Sequence, residues 1–265
     1  MNIIIFSKDR PSQLDLLIRS MKKYFNEFYD YQIKILYRYT SDDYGVGYTK
    51  LIEYHPDENI IWKKEDDFKK DLISLFNNSL KYSVFFVDDN IFKEPFSILD
   101  EKFKHFEKND DILCLSLRLH PRLKYCYAAK VPMTLPYFHE NNIFSWIGQS
   151  GDYGYPMSLD GHIFKTINLL YYILYLDYKC PNSLESIMAS RPLFLYPNML
   201  CYDKSVIINN PINKVQKYNN NYHGNIEAEF LNKEFLCGKR LDLSLYDGID
   251  NISCHQELPI KFIEL

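Results

Sequence analysis

The 265-residue sequence lacks the glycine signatures of two common phosphate-binding loops. No Gly-x-Gly-x-x-Gly motif follows its first strand-like segment, and no Gly-Lys-Ser/Thr sequence ends a Walker-type loop. In those loops glycine lets the backbone approach a phosphate closely, so the absence disfavours classical dinucleotide binding and P-loop phosphoryl transfer. If the protein binds a nucleotide, it must hold the phosphates by a different kind of loop.

An excess of basic charge is also missing. Lys and Arg number 31 against 35 Asp and Glu, for a net charge of -4, which argues against the basic surface that nucleic-acid binding requires. The six cysteines include no Cys-x-x-Cys pair, and the chain is too large to need disulfides. We therefore expect reduced, mostly structural thiols and no nucleic-acid partner.

Targeting and membrane-spanning segments are not evident. The first residues, Ile3 to Phe6, are strand-like and lack the basic start and cleavage site of a signal peptide. The apolar stretch Ile163 to Leu176 is shorter than the roughly 18 to 20 residues that cross a bilayer, and it predicts a buried helix. We expect a cytoplasmic protein without a transmembrane segment, and leave peripheral membrane contact through aromatic residues open.

Strand-like and helix-like segments alternate over residues 1–118. The predicted strands are Asn2 to Ser7, Gln32 to Tyr37, Asn59 to Lys63, Tyr82 to Val87 and Ile112 to Arg118, and the predicted helices are Pro11 to Phe28, Gly45 to Tyr54 and Asp66 to Leu80. Such repeats predict an α/β fold, with a Rossmann-like, mostly parallel central sheet flanked by helices. Residues 119–265 are less regular, and nothing divides the chain, so we expect a single domain over 1–265.

The apolar run Tyr82 to Val87 ends in two carboxylates and an amide, Asp88-Asp89-Asn90. At the carboxyl end of a buried strand these side chains would lie at the edge of the sheet where open α/β folds bind ligands. Hard oxygen ligands suit Mg²⁺ or Mn²⁺ held together with a diphosphate. The same three residues are also common in ordinary turns. The order of the surrounding elements must therefore distinguish a metal site from a simple turn.

The order of features resembles that of the GT-A fold glycosyltransferases, especially the family-2-like enzymes. The matching segments are Ile5 to Pro11, Ser41 to Asp43, Asp88 to Asn90, and Ser158 to Gly161. The resemblance implies a GT-A sheet with a nucleotide-binding half, 1–118, and an irregular acceptor-binding half, 119–265. It further implies inverting transfer of a sugar from a nucleotide-diphosphate donor to a glycan, a lipid-linked acceptor or another hydroxyl.

The resemblance also implies residues that hold the nucleoside. They lie after the first and second strands and are Phe6, Ser7, Arg10 and either Asp42 or Asp43, with Asp88 contributing from the fourth strand. Other roles remain open: Arg10 could neutralise Asp9, and the two acids after the second strand could form a solvated turn.

A divalent metal ion is implied beside the nucleoside site. The family's Asp-x-Asp motif corresponds to Asp88-Asp89-Asn90, so the ion would rest mainly on Asp88 or Asp89. Asn90 departs from the motif but can still supply an oxygen ligand or a hydrogen bond to the sugar. Many such enzymes add a late histidine, and His223 or His255 matches that position.

A catalytic carboxylate is implied at the start of a later helix, and Asp160 matches it. This base would take the proton of the acceptor hydroxyl while the metal stabilises the departing diphosphate. Asp152 is a second candidate, and a plain helix cap is the alternative for Asp160. Further candidates are His162 to orient the acceptor and Trp146 and Tyr153 to stack on a sugar face.

Two other functions stay open. A nucleotidyltransferase shares the architecture and the acidic metal ligands, but it usually has a Gly-rich basic loop after the first strand, which Phe6 to Arg10 lacks. A non-catalytic nucleotide-sugar-binding protein of the same fold would keep the site without turnover.

Overall fold

A computed structural model describes residues 1–214 and 223–264. The helices of these residues are α1 Pro11–Tyr24, α2 Asp42–Tyr54, α3 Phe68–Leu75, α4 Glu101–Lys108, α5 Leu170–Tyr175, α6 Pro181–Ser190 and α7 Ala228–Leu236. The strands are β1 Asn2–Lys8, β2 Ile33–Arg38, β3 Ile60–Lys64, β4 Tyr82–Val87, β5 Asn90–Phe92, β6 Ile112–Ser116, β7 Tyr125–Cys126, β8 Val131–Pro132, β9 Ile143–Ser145, β10 His162–Lys165, β11 Asn198–Cys201, β12 Ile207–Asn209, β13 Lys239–Leu241 and β14 Phe262–Glu264.

An eight-stranded sheet organises the chain in the order β3-β2-β1-β4-β10-β6-β11-β9. Four of its pairings are parallel (β1 with β2 and with β4, β2 with β3, β6 with β11), and β10 and β9 run antiparallel to their neighbours. The predicted α/β class with a large, mostly parallel sheet flanked by helices is confirmed.

Both faces of the sheet are buried. Because successive side chains of a strand point to opposite faces, Ile4 and Phe6 of β1 join a core on the side of α3, α5 and α6. Ile3 and Ile5 join a second core on the side of α1, α2 and α4. Burial on both sides explains why these strands are continuous apolar runs rather than alternating ones.

The carboxyl ends of β4 and β6 meet the start of β10 at one edge of the sheet. β10 runs antiparallel between them, pairing Ile163 with Val84 on one side and with Leu115 on the other. Gly161, with a φ of 67°, makes the turn into β10, and a Cβ there would collide with Ile207. The residue before it, Asp160, is thereby placed beside the end of β4.

The predicted helix from Ile163 to Leu176 is wrong in its first part. Residues 162–165 form β10, and the helix α5 begins only at Leu170. A short apolar run has the composition of either a buried helix or a buried strand, and here pairing with β4 and β6 decides. Two other predicted helices end early: α1 ends at Tyr24 and α3 at Leu75.

A smaller two-stranded sheet joins the two predicted halves near this edge. β12 pairs antiparallel with β5, which brings Asn209 opposite Asn90. In the part of the chain that the structure describes, no helix has the length and apolar character to cross a membrane.

Candidate functional site

Asp88 is held rigidly at the end of β4. One of its carboxylate oxygens accepts hydrogen bonds from the Ser7 hydroxyl at 2.9 Å and the Lys8 backbone N–H at 3.0 Å. The other accepts from the Arg10 guanidinium at 2.9 Å. Ser7 is held in turn by the hydroxyl of Tyr48 at 2.6 Å. The carboxylate therefore fastens the loop after β1 to the end of β4.

Asp89 is less completely compensated than its neighbour. Arg10 lies 3.3 Å from one carboxylate oxygen, the Asn209 amide donates to the other at 3.1 Å, and the side chain is 14% exposed. Burial, followed by repulsion from Asp88 and Asp160, raises the pKa of Asp89 despite the nearby guanidinium. This carboxylate thus retains a demand for positive charge.

Asn90 connects the end of β4 to Asp160. Its amide oxygen accepts from the Val87 N–H at 2.9 Å, and its amide nitrogen donates to Asp160 at 2.7 Å. The structure therefore brings together two segments, 70 residues apart, that the sequence singled out separately. Asp160 lies in the turn before β10, not at the start of a helix as predicted.

Arg118 supplies the positive charge for the two candidate bases. Its guanidinium donates to Asp160 at 3.0 Å and lies 3.6 Å from Asp152. Burial alone would raise the pKa of Asp160, but Arg118 and the contact with His255 hold it well below its usual range. Asp160 is therefore ionised at neutral pH, the protonation state that a base requires.

The two candidate histidines lie in different surroundings. His255 Nε2 lies 3.5 Å from Asp160; burial would lower the pKa of this histidine, but the carboxylate outweighs burial and raises it. The Nδ1 of His255 is buried and has no hydrogen-bond partner among the described residues. His223 Nδ1 instead lies 2.7 Å from the Gly224 carbonyl, so of these two histidines the described residues join His255 to the acidic cluster.

Asp9 and Arg10, which follow β1, bond to different partners, whereas one interpretation of the sequence had Arg10 neutralise Asp9. Asp9 has a φ of 56°, and its carboxylate accepts hydrogen bonds from the backbone N–H and the hydroxyl of Thr40. The Arg10 guanidinium donates instead to Asp88 and Asn213. Phe6 does not reach this loop, because its ring packs in the core against Phe68 and Phe85. A contact between the Phe6 side chain and a nucleoside is therefore not supported.

Asp42 and Asp43 are exposed in the first turn of α2. The Asp43 backbone carbonyl accepts a hydrogen bond from the side-chain amide of Asn232. A role in nucleoside binding stays a prediction for both residues.

The suggested acceptor-side residues are core residues instead. Trp146 donates from its indole to the Tyr196 carbonyl at 2.7 Å, and Tyr153 is fully buried with its hydroxyl on the His120 carbonyl at 2.6 Å. His162 is also fully buried, and burial lowers its pKa to about 3. These three side chains pack in the interior, where the indole of Trp146 and the hydroxyl of Tyr153 find protein partners and only the Nδ1 of His162 does so among the described residues. They are therefore not placed to line a sugar site.

Two side chains of the site have the donor chemistry that a divalent cation shared with a ligand needs. Within residues 1–214 and 223–264, no three His, Cys, Asp or Glu side chains are grouped to hold a metal by themselves. A cation shared with a diphosphate needs only one or two protein ligands. Asp89, whose charge Arg10 compensates only in part, and His255, with its unpartnered Nδ1, supply the hard oxygen and imidazole ligands that fit such a shared cation.

Three polar residues of the site were not singled out from the sequence. Arg118 lies two residues beyond the end of β6, Asn209 ends β12, and Asn213 accepts two hydrogen bonds from Arg10. A signal existed for Arg118, since it is a charged residue close to the end of an apolar strand. No comparable signal marks the two asparagines, whose positions depend on long-range pairing.

Comparison with known proteins gives one clear sequence match. No family model matches the chain. The chain is 31% identical over 144 residues to the bifunctional glycosyltransferase pgtA of Dictyostelium discoideum, which covers 51% of this chain and only 18% of that protein. The resemblance to glycosyltransferases predicted from the motif order is thereby confirmed.

Structural likenesses are weaker. The S. aureus protein TarS matches with a TM-score of 0.47 and 12% identity, over 78% of this chain and 36% of that chain. A cytidylyltransferase from Leptospira borgpetersenii matches with a TM-score of 0.39 and 11% identity, over 71% and 69%. With TM-scores below 0.5, neither likeness carries an argument about activity.

Proposed function

We propose that this chain is a glycosyltransferase that moves a sugar from a nucleotide-diphosphate donor to a hydroxyl acceptor with inversion. The observation that carries the proposal is the contact between Asn90 and Asp160, which joins the acidic end of β4 to an ionised carboxylate. Sequence similarity to a glycosyltransferase supports the same class of reaction.

The donor would bind at the carboxyl end of β4. Asp88 holds Ser7, Lys8 and Arg10 in a fixed arrangement, so the loop after β1 is organised before any ligand arrives. Arg10 presents a buried guanidinium, the side chain best suited to phosphate oxygens. Such preorganised charge is the main source of transition-state stabilisation in group transfer.

Asp160 would serve as the base. Its side chain is 9% exposed; Oδ2 faces both Arg118 and His255, whereas Oδ1 keeps a lone pair beyond the one that Asn90 uses. The carboxylate would accept the proton of the acceptor hydroxyl as that oxygen attacks the anomeric carbon. Asn90 belongs to the donor motif and bonds to Asp160. This hydrogen bond would fix the position of the base, and so of the acceptor hydroxyl, relative to the bound donor.

Mn²⁺ or Mg²⁺ bound with the donor would supply charge stabilisation of the leaving diphosphate, and Asp89 and His255 are the residues that would hold it. The acceptor would be a glycan, a lipid-linked sugar or another hydroxyl compound. The chain covers less than a fifth of the curated relative that it matches, so that relative's full activity is not carried over.

The test is a thermal-shift screen of nucleotide diphosphates, nucleotide sugars and nucleoside triphosphates, each with and without Mn²⁺, followed by turnover assays. A ligand that binds only the folded state raises the melting temperature, so we expect a Mn²⁺-dependent shift with one nucleotide sugar. A response to triphosphates alone would point to nucleotidyl transfer, and binding without turnover would leave a non-catalytic binding protein.

Two variants sharpen the assay. Asp160→Asn should abolish transfer, because it removes the proton acceptor, while the donor still raises the melting temperature of the variant. Since the change also takes the closest counter-charge from the buried Arg118, the shift is measured from the variant's own lower baseline and activity is expressed per folded molecule. Asp110→Asn is the matched control, since Asp110 is an exposed acid at the opposite edge of the sheet, paired with Lys165. Normal transfer by Asp160→Asn would remove Asp160 from the base role.

A further inference from the structure

Arg118 is the most thoroughly buried cation of the site. Its side chain is 2% exposed, yet the segment that carries it is a connection beyond β6 rather than a strand. The backbone is fixed on both sides: the Arg118 N–H donates to Ser116, and its carbonyl accepts from the Ser205 hydroxyl at 2.7 Å. A long side chain anchored in this way has little freedom in where it places its guanidinium.

The guanidinium lies between carboxylates from two other segments. It donates to Asp160 at 3.0 Å, in the turn before β10, and lies 3.6 Å from Asp152, in the turn of residues 151–154. Burying a charge of this kind costs several kcal/mol unless its partners have good geometry, so such a pair is weak evidence for stability alone. Because the guanidinium bonds directly to the candidate base Asp160, a role in catalysis is a second reason for burying it.

Asp152 differs from Asp160 in its contacts rather than in its burial, since the two side chains are 7% and 9% exposed. The Oδ2 of Asp152 has almost no accessible surface and no partner among the described residues, and its other oxygen faces Arg118. Asp160 instead bonds to Asn90 at the end of β4, where the donor would bind. Asp152 therefore acts on the guanidinium, and Asp160 is the carboxylate in contact with the donor motif.

We propose that Arg118, backed by Asp152, is the positioning residue for Asp160. This inference rests on the proposed glycosyltransferase function. Arg118 fixes one oxygen of Asp160 while Asn90 fixes the other, so the carboxylate plane is set from two sides. Asp152 lies 3.6 Å from the second terminal nitrogen of the guanidinium, the one that does not bond to Asp160, and so helps to orient the group. Asp152 thereby acts through Arg118 and is not itself the base.

The distinction between arginine and lysine makes the proposal testable. A lysine keeps the charge but lacks the planar fork that can face two carboxylates at once. Misplacing a catalytic group by about 1 Å can cost about 100-fold in rate. For Arg118→Lys we expect kcat to fall by about this factor while the donor KM and the nucleotide Kd change by less than about twofold.

A matched control comes from a second buried pair. Arg240 contacts Asp15 and His55 at the junction of α1 and β13, and both members of the Arg240–Asp15 pair are buried. Arg240→Lys should lower the melting temperature but leave kcat per folded molecule unchanged. Asp152→Asn, which keeps the shape and removes the charge, should lower kcat by about tenfold without weakening donor binding.

The outcomes distinguish a failure of the positioning role of Arg118 from a failure of the proposed glycosyltransferase function. If Arg118→Lys behaves like Arg240→Lys, with wild-type kcat, Arg118 is structural and the inference is wrong. Weaker donor binding with unchanged kcat would likewise overturn it. Should Arg118→Lys fail to fold, Asp152→Asn decides by the same split between kcat and Kd. A wild-type protein that transfers no sugar refutes the proposed function itself, and the positioning role with it.

Discussion

Neutralising each of the two adjacent carboxylates at the end of β4 should have opposite effects on stability. Asp88 has both oxygens occupied by three donors, including the guanidinium of Arg10. In Asp88→Asn the new amide NH₂ must face either those N–H and O–H donors or the guanidinium, and either choice places donor against donor. The buried guanidinium also loses its closest counter-charge.

The expected cost follows from those contacts. Breaking a buried ion pair by removing one partner costs about 3 to 5 kcal/mol. For a domain of this size each kcal/mol corresponds to about 2 °C in melting temperature, so Asp88→Asn should melt roughly 6 to 10 °C below the wild type.

Asp89→Asn should instead be neutral or slightly stabilising. Its contacts with Arg10 and Asn209 are longer, and burial together with Asp88 and Asp160 already raises the pKa of this carboxyl. A raised pKa means that the folded protein favours the neutral form, which an amide imitates. Active-site groups often carry such a cost to stability.

Urea unfolding and calorimetry of both variants at pH 7 measure the difference. Equal slopes in urea would show that the same surface is exposed on unfolding, so midpoints can be compared directly. The reasoning is refuted if Asp89→Asn loses as much stability as Asp88→Asn, or if Asp88→Asn unfolds at the wild-type midpoint. Under the proposed function both variants should lose transfer activity, so stability and activity would separate at residue 89.

Two further predictions concern buried ionisable groups outside the carboxylate pair. Burial lowers the pKa of His120 to about 4 and that of His162 to about 3; the unfolded chain binds their protons from about pH 6.5 downward, so each should cost roughly 2 to 3 kcal/mol of stability by pH 4.5. His162→Asn should therefore lose less stability than the wild type between pH 7 and 4.5 in urea unfolding, and an equal loss would contradict this. Asp15→Asn leaves Arg240 without its counter-charge and should cost about 3 to 5 kcal/mol at pH 7, with kcat per folded molecule unchanged; an unchanged urea midpoint would show that the pair adds little.

Several elements within residues 1–118 were predictable because local pattern and tertiary structure agree there. β4 has the predicted bounds, Tyr82–Val87, since an apolar, aromatic and β-branched run is bounded by polar residues. α1 begins at Pro11 as expected for proline in the first turn. α3 ends early because the backbone becomes extended at Phe76 and Asn77 then bonds to Asn2 of β1, a long-range contact that no local pattern reports.

The central antiparallel strand was not predictable from local pattern. Ile163 and Phe164 have the composition of a buried helix, and only their insertion between β4 and β6 makes them a strand. The site divides in the same way. Asp88 and Asp160 were found because one ends a strand and the other matches a family segment, whereas Asn209 reaches the site through the pairing of β12 with β5.

The balance of charge at the site bears on how a donor can enter. Four carboxylates, from Asp88, Asp89, Asp152 and Asp160, face the two guanidinium groups of Arg10 and Arg118 and the imidazole of His255, whose pKa Asp160 raises. A diphosphate would add further negative charge to a buried site that already raises the pKa of one of its own carboxyls, and uncompensated buried charge is costly. Donor binding should therefore require an accompanying cation.

That requirement gives the metal prediction a physical basis independent of the Asp-x-Asp motif, which this chain matches only in part. The cation would be needed to bring the diphosphate to Asp89, and a site with so few protein ligands would bind it weakly without the nucleotide. We accordingly expect nucleotide binding and Mn²⁺ binding each to strengthen the other by the same factor, as linkage demands. Titration calorimetry of each ligand with and without the other measures that factor, and independent binding of the two would show that Arg10 alone compensates the diphosphate.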